Sequence, residues 1–274
     1  MKARIIITVA IILPILGAGF YFRPSFQGVS DLAPKLTPTG PIKEKEKQVE
    51  QVVEVKKEVS IQFFGDIMLD RSVARVMGTS GLDYIFAKDK SIFVDTDLTI
   101  ANLEGPFAPA RIQTSKIIAF RFDPKLAAQL KSYGFDIFSM ANNHGFDMGR
   151  KNVDFTRQVL NENGLGYFGD EYNVDKNYTY TVGEERGLPF KIAFVGFNST
   201  EGGLDMDKVK QVIDDAGKQA RFVIVNIHWG EEYKRNSNKK QQDFAHNLID
   251  LGASAIIGHH PHVVQEVEVY KGHY

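Results

Sequence analysis

The sequence predicts an α/β domain, and three observations carry that prediction. From residue 59 onward, short apolar runs of strand length alternate with longer segments of helical periodicity. No internal repeat interrupts the alternation. Nearly every apolar run ends in a side chain able to hold a metal ion: Asp66, Glu104, Asn143 with His144, His228, and the cluster His259 to His262.

The elements follow in order. Val59 to Phe64 reads as a strand ended by Gly65-Asp66, and Asp70 is a plausible cap for a helix over 70–76. Leu98 to Asn102 is a second strand. Pro124 to Tyr133 is a helix with Asp123 as cap, proline at its first position and Gly134 as terminator. Ile137 to Met140 is a short strand, and Val153 to Asn163 is a helix stopped by Gly164. Tyr178 to Val182 and Phe190 to Phe197 pair around a turn at 183–189. Lys208 to Lys218 is helical, Phe222 to Ile227 is a strand, Lys239 to Leu251 is helical, and Ala253 to Ile257 is a buried strand ended by Gly258. Val263 to Tyr270 alternates like an edge or second-sheet strand.

The amino-terminal residues have a different character. Lys2 and Arg4 flank an apolar run over 5–22, whose eighteen residues span about 27 Å as a helix, enough to cross the hydrocarbon core. A secretory signal is the competing assignment, but the run is long and flanked by Tyr21, Phe22 and Arg23 rather than by small residues, which favours an uncleaved anchor over 1–22. Positive charge at the amino end keeps that end inside, and either assignment exports the rest of the chain. Residues 23–58, with four prolines and mixed Lys and Glu, have the composition of a disordered linker. The folded domain is then 59–274.

Composition narrows the function classes. A net charge of -1 offers no global attraction for nucleic acid. The absence of cysteine excludes disulfides, thiolate metal sites and a cysteine nucleophile. Neither a phosphate-binding G-x-x-x-x-G-K-[ST] loop nor a G-x-S-x-G elbow occurs.

What remains is the set of strand ends. Parallel strands with crossover helices present their carboxyl ends on one edge, where such sheets bind ligands. Singly, each residue has a structural explanation: Asp66 as a turn residue, Asn143-His144 as a cap, His228 as a core histidine, Trp229 as a packing aromatic. Jointly they predict convergence on one crevice. An oxygen and nitrogen donor set without sulfur suits one or two divalent ions, Mn, Fe, Zn or Mg. Two such ions would activate a water and clamp an oxyanion in hydrolysis of a phosphoester or similar bond.

The segments F-F-G-D-I-M-L-D-R (63–71), A-N-L-E-G-P (101–106), A-N-N-H-G-F-D-M-G (141–149), H-W-G-E-E-Y (228–233) and G-H-H-P-H-V-V-Q (258–265) resemble, in order and spacing, the CapA or poly-γ-glutamate capsule-synthesis family. That family is similar to the calcineurin-like metallophosphatases. The resemblance implies a four-layer αββα sandwich, with Asp66, Glu104, Asn143, His144, His228, His260 and His262 as metal-site residues and Asp66 and His144 also catalytic. It implies a membrane-anchored extracytoplasmic protein that works beside other capsule-synthesis membrane proteins. Such a protein acts on, or assembles, the anionic peptide-like poly-γ-glutamate polymer, and a non-catalytic polymer-binding role stays open beside the enzymatic one. Two departures stand out. Met68 occupies the third position of a D-x-H pattern, and a thioether is ill suited to a hard dinuclear site. Family members also continue past 267–270 with a Y-S-L-G-N-F-like segment, so the 59–274 domain is expected to be a C-terminally shortened version or part of a longer reading frame.

Overall fold

A computed structural model describes residues 4–9, 58–86, 93, 95–173, 178–200 and 202–274. Two sheets run through it. The first has the order β1 (Arg4–Val9), β2 (Glu58–Ile67), β3 (Leu98–Leu103), β4 (Ile137–Ser139) and β5 (Gly166–Phe168), all parallel. The second has the order β6 (Thr179–Val182), β7 (Ile192–Asn198), β8 (Phe222–His228) and β9 (Ala255–His259), with β6 antiparallel and the rest parallel. Among the described residues six α-helices accompany them: α1 (Arg71–Met77), α2 (Leu82–Phe86), α3 (Leu126–Ser132), α4 (Arg150–Glu162), α5 (Met206–Gln219) and α6 (Lys239–Asp250).

Three apolar cores separate four layers. Val59, Ile61, Phe63, Leu98, Ile100 and Ile137 of the first sheet meet Ile192, Phe194, Ile224 and Ala255 of the second. The opposite face of the first sheet packs Phe64, Leu103 and Phe138, with Phe135 just before β4, against α1 to α4. The outer face of the second packs Val195, Val223, Val225 and Ile227 against Val209 and Ile213 of α5 and Leu248 of α6. Because successive strand residues point to opposite faces, the near-continuous apolar runs of these strands are what burial on both sides requires. The arrangement is a mixed α/β sandwich.

One irregularity decides where the chemistry sits. Phe63 pairs with Ile100 but Asp66 pairs with Asn102, so β2 carries one extra residue in a bulge. In unbroken register Asp66, three residues after the inward Phe63, would face the helices. The bulge turns it onto the same face as Ile100 and Asn102, toward the second sheet. β2 also extends through Asp66 instead of ending before it.

The remaining differences from sequence expectation are local. The helix expected from Pro124 begins at Leu126, although the Asp123 carboxylate still accepts from Lys125 N. Strand β9 continues through Gly258 to His259. A Cβ at Gly258 would lie 2.7 Å from the Trp229 indole nitrogen, so glycine serves close approach here and not chain termination. Helix α2 and strand β5 have no counterpart in the sequence reading, since each is too short for a periodic signal. Val263 to Tyr270 forms no strand; its one ladder contact is the Tyr270–His273 bridge. Its polar side chains instead fasten to the α6 region: Glu266 accepts from Ser237, Glu268 pairs with His246, and Lys271 with Asp250. Val267 and Val269 are left exposed. The alternation therefore reports a two-faced strap along a helix.

Of the anchor expected over 1–22, residues 1–3 and 10–22 lie outside the described residues, as does the linker up to residue 57. The described part, Arg4–Val9, is a strand parallel to β2; its β-branched run Ile5-Ile6-Ile7 suits either state. Among the described residues no helix is long and apolar enough to cross a membrane.

Candidate metal centre

The carboxyl ends of β2, β3 and β4 meet those of β8 and β9 in the gap between the sheets. Asp66 is the hub. Its Oδ1 accepts a 2.8 Å hydrogen bond from Asn102 Nδ2 and lies 3.5 Å from His259 Nδ1 and 4.0 Å from His228 Nδ1. Its Oδ2 lies 3.2 Å from His262 Nδ1 and accepts from His260 N at 3.2 Å. Glu104 follows β3 and is buried, with Oε1 3.9 Å from His228 Nε2 and 3.7 Å from His262 Nε2. Asn143 Oδ1 lies 2.9 Å from His228 Nε2. The His228 and His260 rings are 4.7 Å apart.

His144 sits beside this cluster. A carboxylate only accepts, so Asp147 Oδ2, 2.7 Å from His144 Nδ1, fixes the proton on that nitrogen and frees Nε2 for exchange. Phe120 covers the imidazole face, with ring centroids 4.1 Å apart. Lys116 reaches in from the 109–119 loop. Its Nζ bonds Asp147 and Glu171, each at 2.9 Å, and donates to the Asn143 carbonyl at 2.6 Å. The seven residues singled out from sequence thus lie in one crevice.

The structure adds others. Asn142, fully buried, donates to Asn102 Oδ1 and Leu103 O, while its own Oδ1 accepts from His144 N. This amide ladder links the β4 loop through Asn102 to Asp66 and sets the orientation of the carboxylate. Asn102, Asn142 and Asp147 lie inside the motifs A-N-L-E-G and A-N-N-H-G-F-D, where their polarity at strand ends was the available signal. Lys116 and Glu171 lie in loops with no periodic signal. His259 was visible only as part of the histidine cluster. Met68, by contrast, packs against the helix-side core, and its sulfur accepts from Asp70 N at 3.2 Å.

The electrostatics are opposed in sign. Burial pushes the Asp66 carboxyl up, but His259 and His262 at its two oxygens and the field of His228 outweigh it and hold it well below the usual range. Burial, with the charges of Asp66, Glu232 and Asp147, drives Glu104 well above it. Burial and the neighbouring imidazoles push His228 well down against the pull of Asp66. Burial also lowers His260, helped by His262, whereas the Asp66 contact raises His262.

Glu104 Oε1 and His260 Nδ1 are buried without hydrogen-bond partners, each at a cost of about 1–3 kcal/mol in isolation. Asp66, Glu104 and His262 each offer an atom within 4.8 Å of the others. Asn143 Oδ1 and His228 Nε2, at hydrogen-bond distance of 2.9 Å, add an oxygen and a nitrogen beside that group. The residues fit a divalent cation.

The chain matches the family described as bacterial capsule synthesis protein PGA_cap over residues 60–274. It is 31% identical over 234 residues to the PGA biosynthesis protein CapA of Bacillus subtilis (strain 168), covering 78% of this chain and 60% of that protein. It is 32% identical over 232 residues to the capsule biosynthesis protein CapA of Bacillus anthracis, covering 78% and 56%. The chain therefore spans little more than half the length of these relatives. A crystal structure of a hypothetical protein from Thermus thermophilus aligns with a TM-score of 0.45 at 19% identity over 74% of this chain and 68% of that one, a likeness too distant to carry an argument.

Proposed function

This chain belongs to the PGA_cap family of bacterial capsule synthesis proteins, and from that membership we propose that it serves poly-γ-glutamate capsule synthesis from outside the cytoplasmic membrane. On this proposal it is held by an amino-terminal anchor over residues 1–22, which requires Arg4–Val9 to leave the sheet edge it occupies in the fold, and its inter-sheet crevice is a divalent-metal site acting on the polymer or another peptide-like or phosphoester bond. The observation that carries the metal assignment is the group Asp66, Glu104 and His262, whose ligand atoms lie within 4.8 Å of one another, with Glu104 Oε1 buried and without a hydrogen-bond partner.

Asp66, Glu104, Asn143, His228, His260 and His262 would hold one or two ions. Bound there, a divalent cation supplies Lewis-acid polarisation and a water of lowered pKa. The other steps belong to the chain. His144, its Nδ1 pinned by Asp147, is placed to give a proton from Nε2 to a leaving group, the orienting role a buried carboxylate plays for a catalytic imidazole. Lys116 holds Asp147 in place, and Phe120 keeps bulk water from one face of the imidazole.

The departure at Met68 favours a second reading, in which the fold binds polymer without turning it over. Metal content of the purified full chain, prepared without chelator, separates the two. Stoichiometric Mn, Fe or Zn supports the metal site; no ion, with polymer binding intact, leaves the binding role. For location, protease added to intact spheroplasts is expected to digest the domain, and a protected domain would remove the extracytoplasmic assignment.

A further inference from the structure

The loop after β8 carries a carboxylate outside the ligand set above. Trp229 to Lys234 is zipped onto the loop after β9: Trp229 N donates to His259 O at 3.2 Å, and Tyr233 N to Pro261 O at 2.7 Å. Gln265 Nε2 bonds Lys234 O at 2.8 Å, and Gln241 bridges to Gln265 at 3.1 Å. Both loops hold left-handed backbone at residues with side chains, φ 63° at Tyr233, 95° at His260 and 54° at His262, a conformation that persists only where surroundings over-determine it.

The zipper delivers Glu232 to the histidines. A Glu232 oxygen lies 4.0 Å from His262 Nε2. Glu232, His260 and His262 each offer an atom within 4.8 Å of the other two. Independently, His260 is only 8% exposed, and its Nδ1 has no partner. A buried imidazole nitrogen left without a donor or an acceptor is unfavourable unless something else meets it. The D-x-H pattern would place a ligand at residue 68, on the first sheet, but Met68 is turned into the helix-side core with its sulfur engaged.

We propose that Glu232 is a metal ligand, joining His260 and His262 as a cation position on the second-sheet side of the crevice and supplying from that side the ligand that Met68 does not. The inference rests on the metal-site assignment in Proposed function. One carboxylate and two neutral imidazoles form a donor set suited to Mn, Fe or Zn. Their group adjoins the Asp66, Glu104 and His262 group; since a neutral imidazole has one lone pair, His262 ligates in the Glu232 group and the neighbouring position rests on Asp66 and Glu104. Glu231, in the same loop and also exposed, belongs to neither group and is the natural control.

The test is Mn(II) titration calorimetry with metal analysis on the purified full-length chain, comparing the parent with Glu232→Gln, Glu232→Asp and Glu231→Gln. The expected result is one fewer ion bound by Glu232→Gln, or affinity for the weaker ion reduced at least about tenfold. Glu232→Asp is expected to keep the stoichiometry at reduced affinity, and Glu231→Gln to match the parent. If the parent binds Mn and Glu232→Gln binds it with the same stoichiometry and affinity, Glu232 is a solvated loop residue and the metal site stands without it. A parallel loss in Glu231→Gln would overturn the proposal by showing a general charge effect. If the parent itself binds no divalent ion, the metal assignment and this inference fall together.

Discussion

Asn143 Oδ1 and His228 Nε2, 2.9 Å apart, join the two sheets: one follows β4 in the first and the other ends β8 in the second. A contact that spans the sandwich makes an ion bound there a cross-link between layers, which ties metal binding to global stability.

Mn or Zn at about 100 times its dissociation constant should therefore raise the unfolding free energy by about 2.7 kcal/mol. His228→Ala and Asn143→Ala should lose most of that increment. Thermal melts with each metal and with chelator check this, and variants that keep the full increment would remove these two residues from the ligand set.

Two histidines should cost the metal-free domain stability in acid. Burial lowers His228 and His260 below their ordinary value of 6.5, so they stay neutral when folded but take protons when unfolded. Their contribution is complete above about pH 6.5 and is lost as pH falls through and below it. His262, raised by Asp66, works the other way, its contribution complete below 6.5 and lost as pH rises through its folded value. Glu104 and Glu171, also raised, oppose that loss as His262 does, so the lowered histidines are read by comparison: from about pH 7 down to pH 5 the parent should lose more stability, or gain less, than His228→Gln. Denaturant melts of both proteins across that window should show the difference.

Lys116→Met should destabilise by about 3 kcal/mol near neutral pH, the low end for breaking a buried pair, since the lysine side chain is 31% exposed. Asp147 and Glu171 would lose their shared cation. Burial already raises Glu171 despite that lysine, so its ionised form is the one the lysine supports. The loss should shrink as pH falls and Glu171 protonates. A loss that is constant from pH 7.5 to about pH 5 would assign the lysine a packing role instead.

Gly258→Ala should cost about 1–3 kcal/mol, because its methyl would meet the rigid Trp229 indole at 2.7 Å. Trp229→Ala should cancel much of that penalty in a double-mutant cycle, and simple additivity of the two would show that the contact does not limit the site.

How far the sequence reaches is clearest at individual residues. Strand and helix periodicity located β2 to β4, β6 to β9 and α3 to α6, because each buries a face whose apolar spacing survives in one dimension, and the Asp70 cap located α1. The placement of Asp66, Glu104, Asn143, His144, His228 and the 259–262 cluster at strand ends was legible for the same reason. Gly65-Asp66 reads in one dimension as a strand end, whereas the strand runs through both in a bulge, and the turning of Asp66 from the helices to the second sheet exists only once β2 is paired with β3 in register. The Asn142–Asn102–Asp66 ladder, the Lys116 link to Asp147 and Glu171, and the approach of Glu232 to His262 join residues 30 to 55 positions apart, and no local pattern encodes such distances. Val263 to Tyr270 shows the converse: alternation by itself determined that the segment has two faces, whereas tertiary structure decided that one of them lies along α6, since side-chain partners at Ser237, His246 and Asp250 were available there.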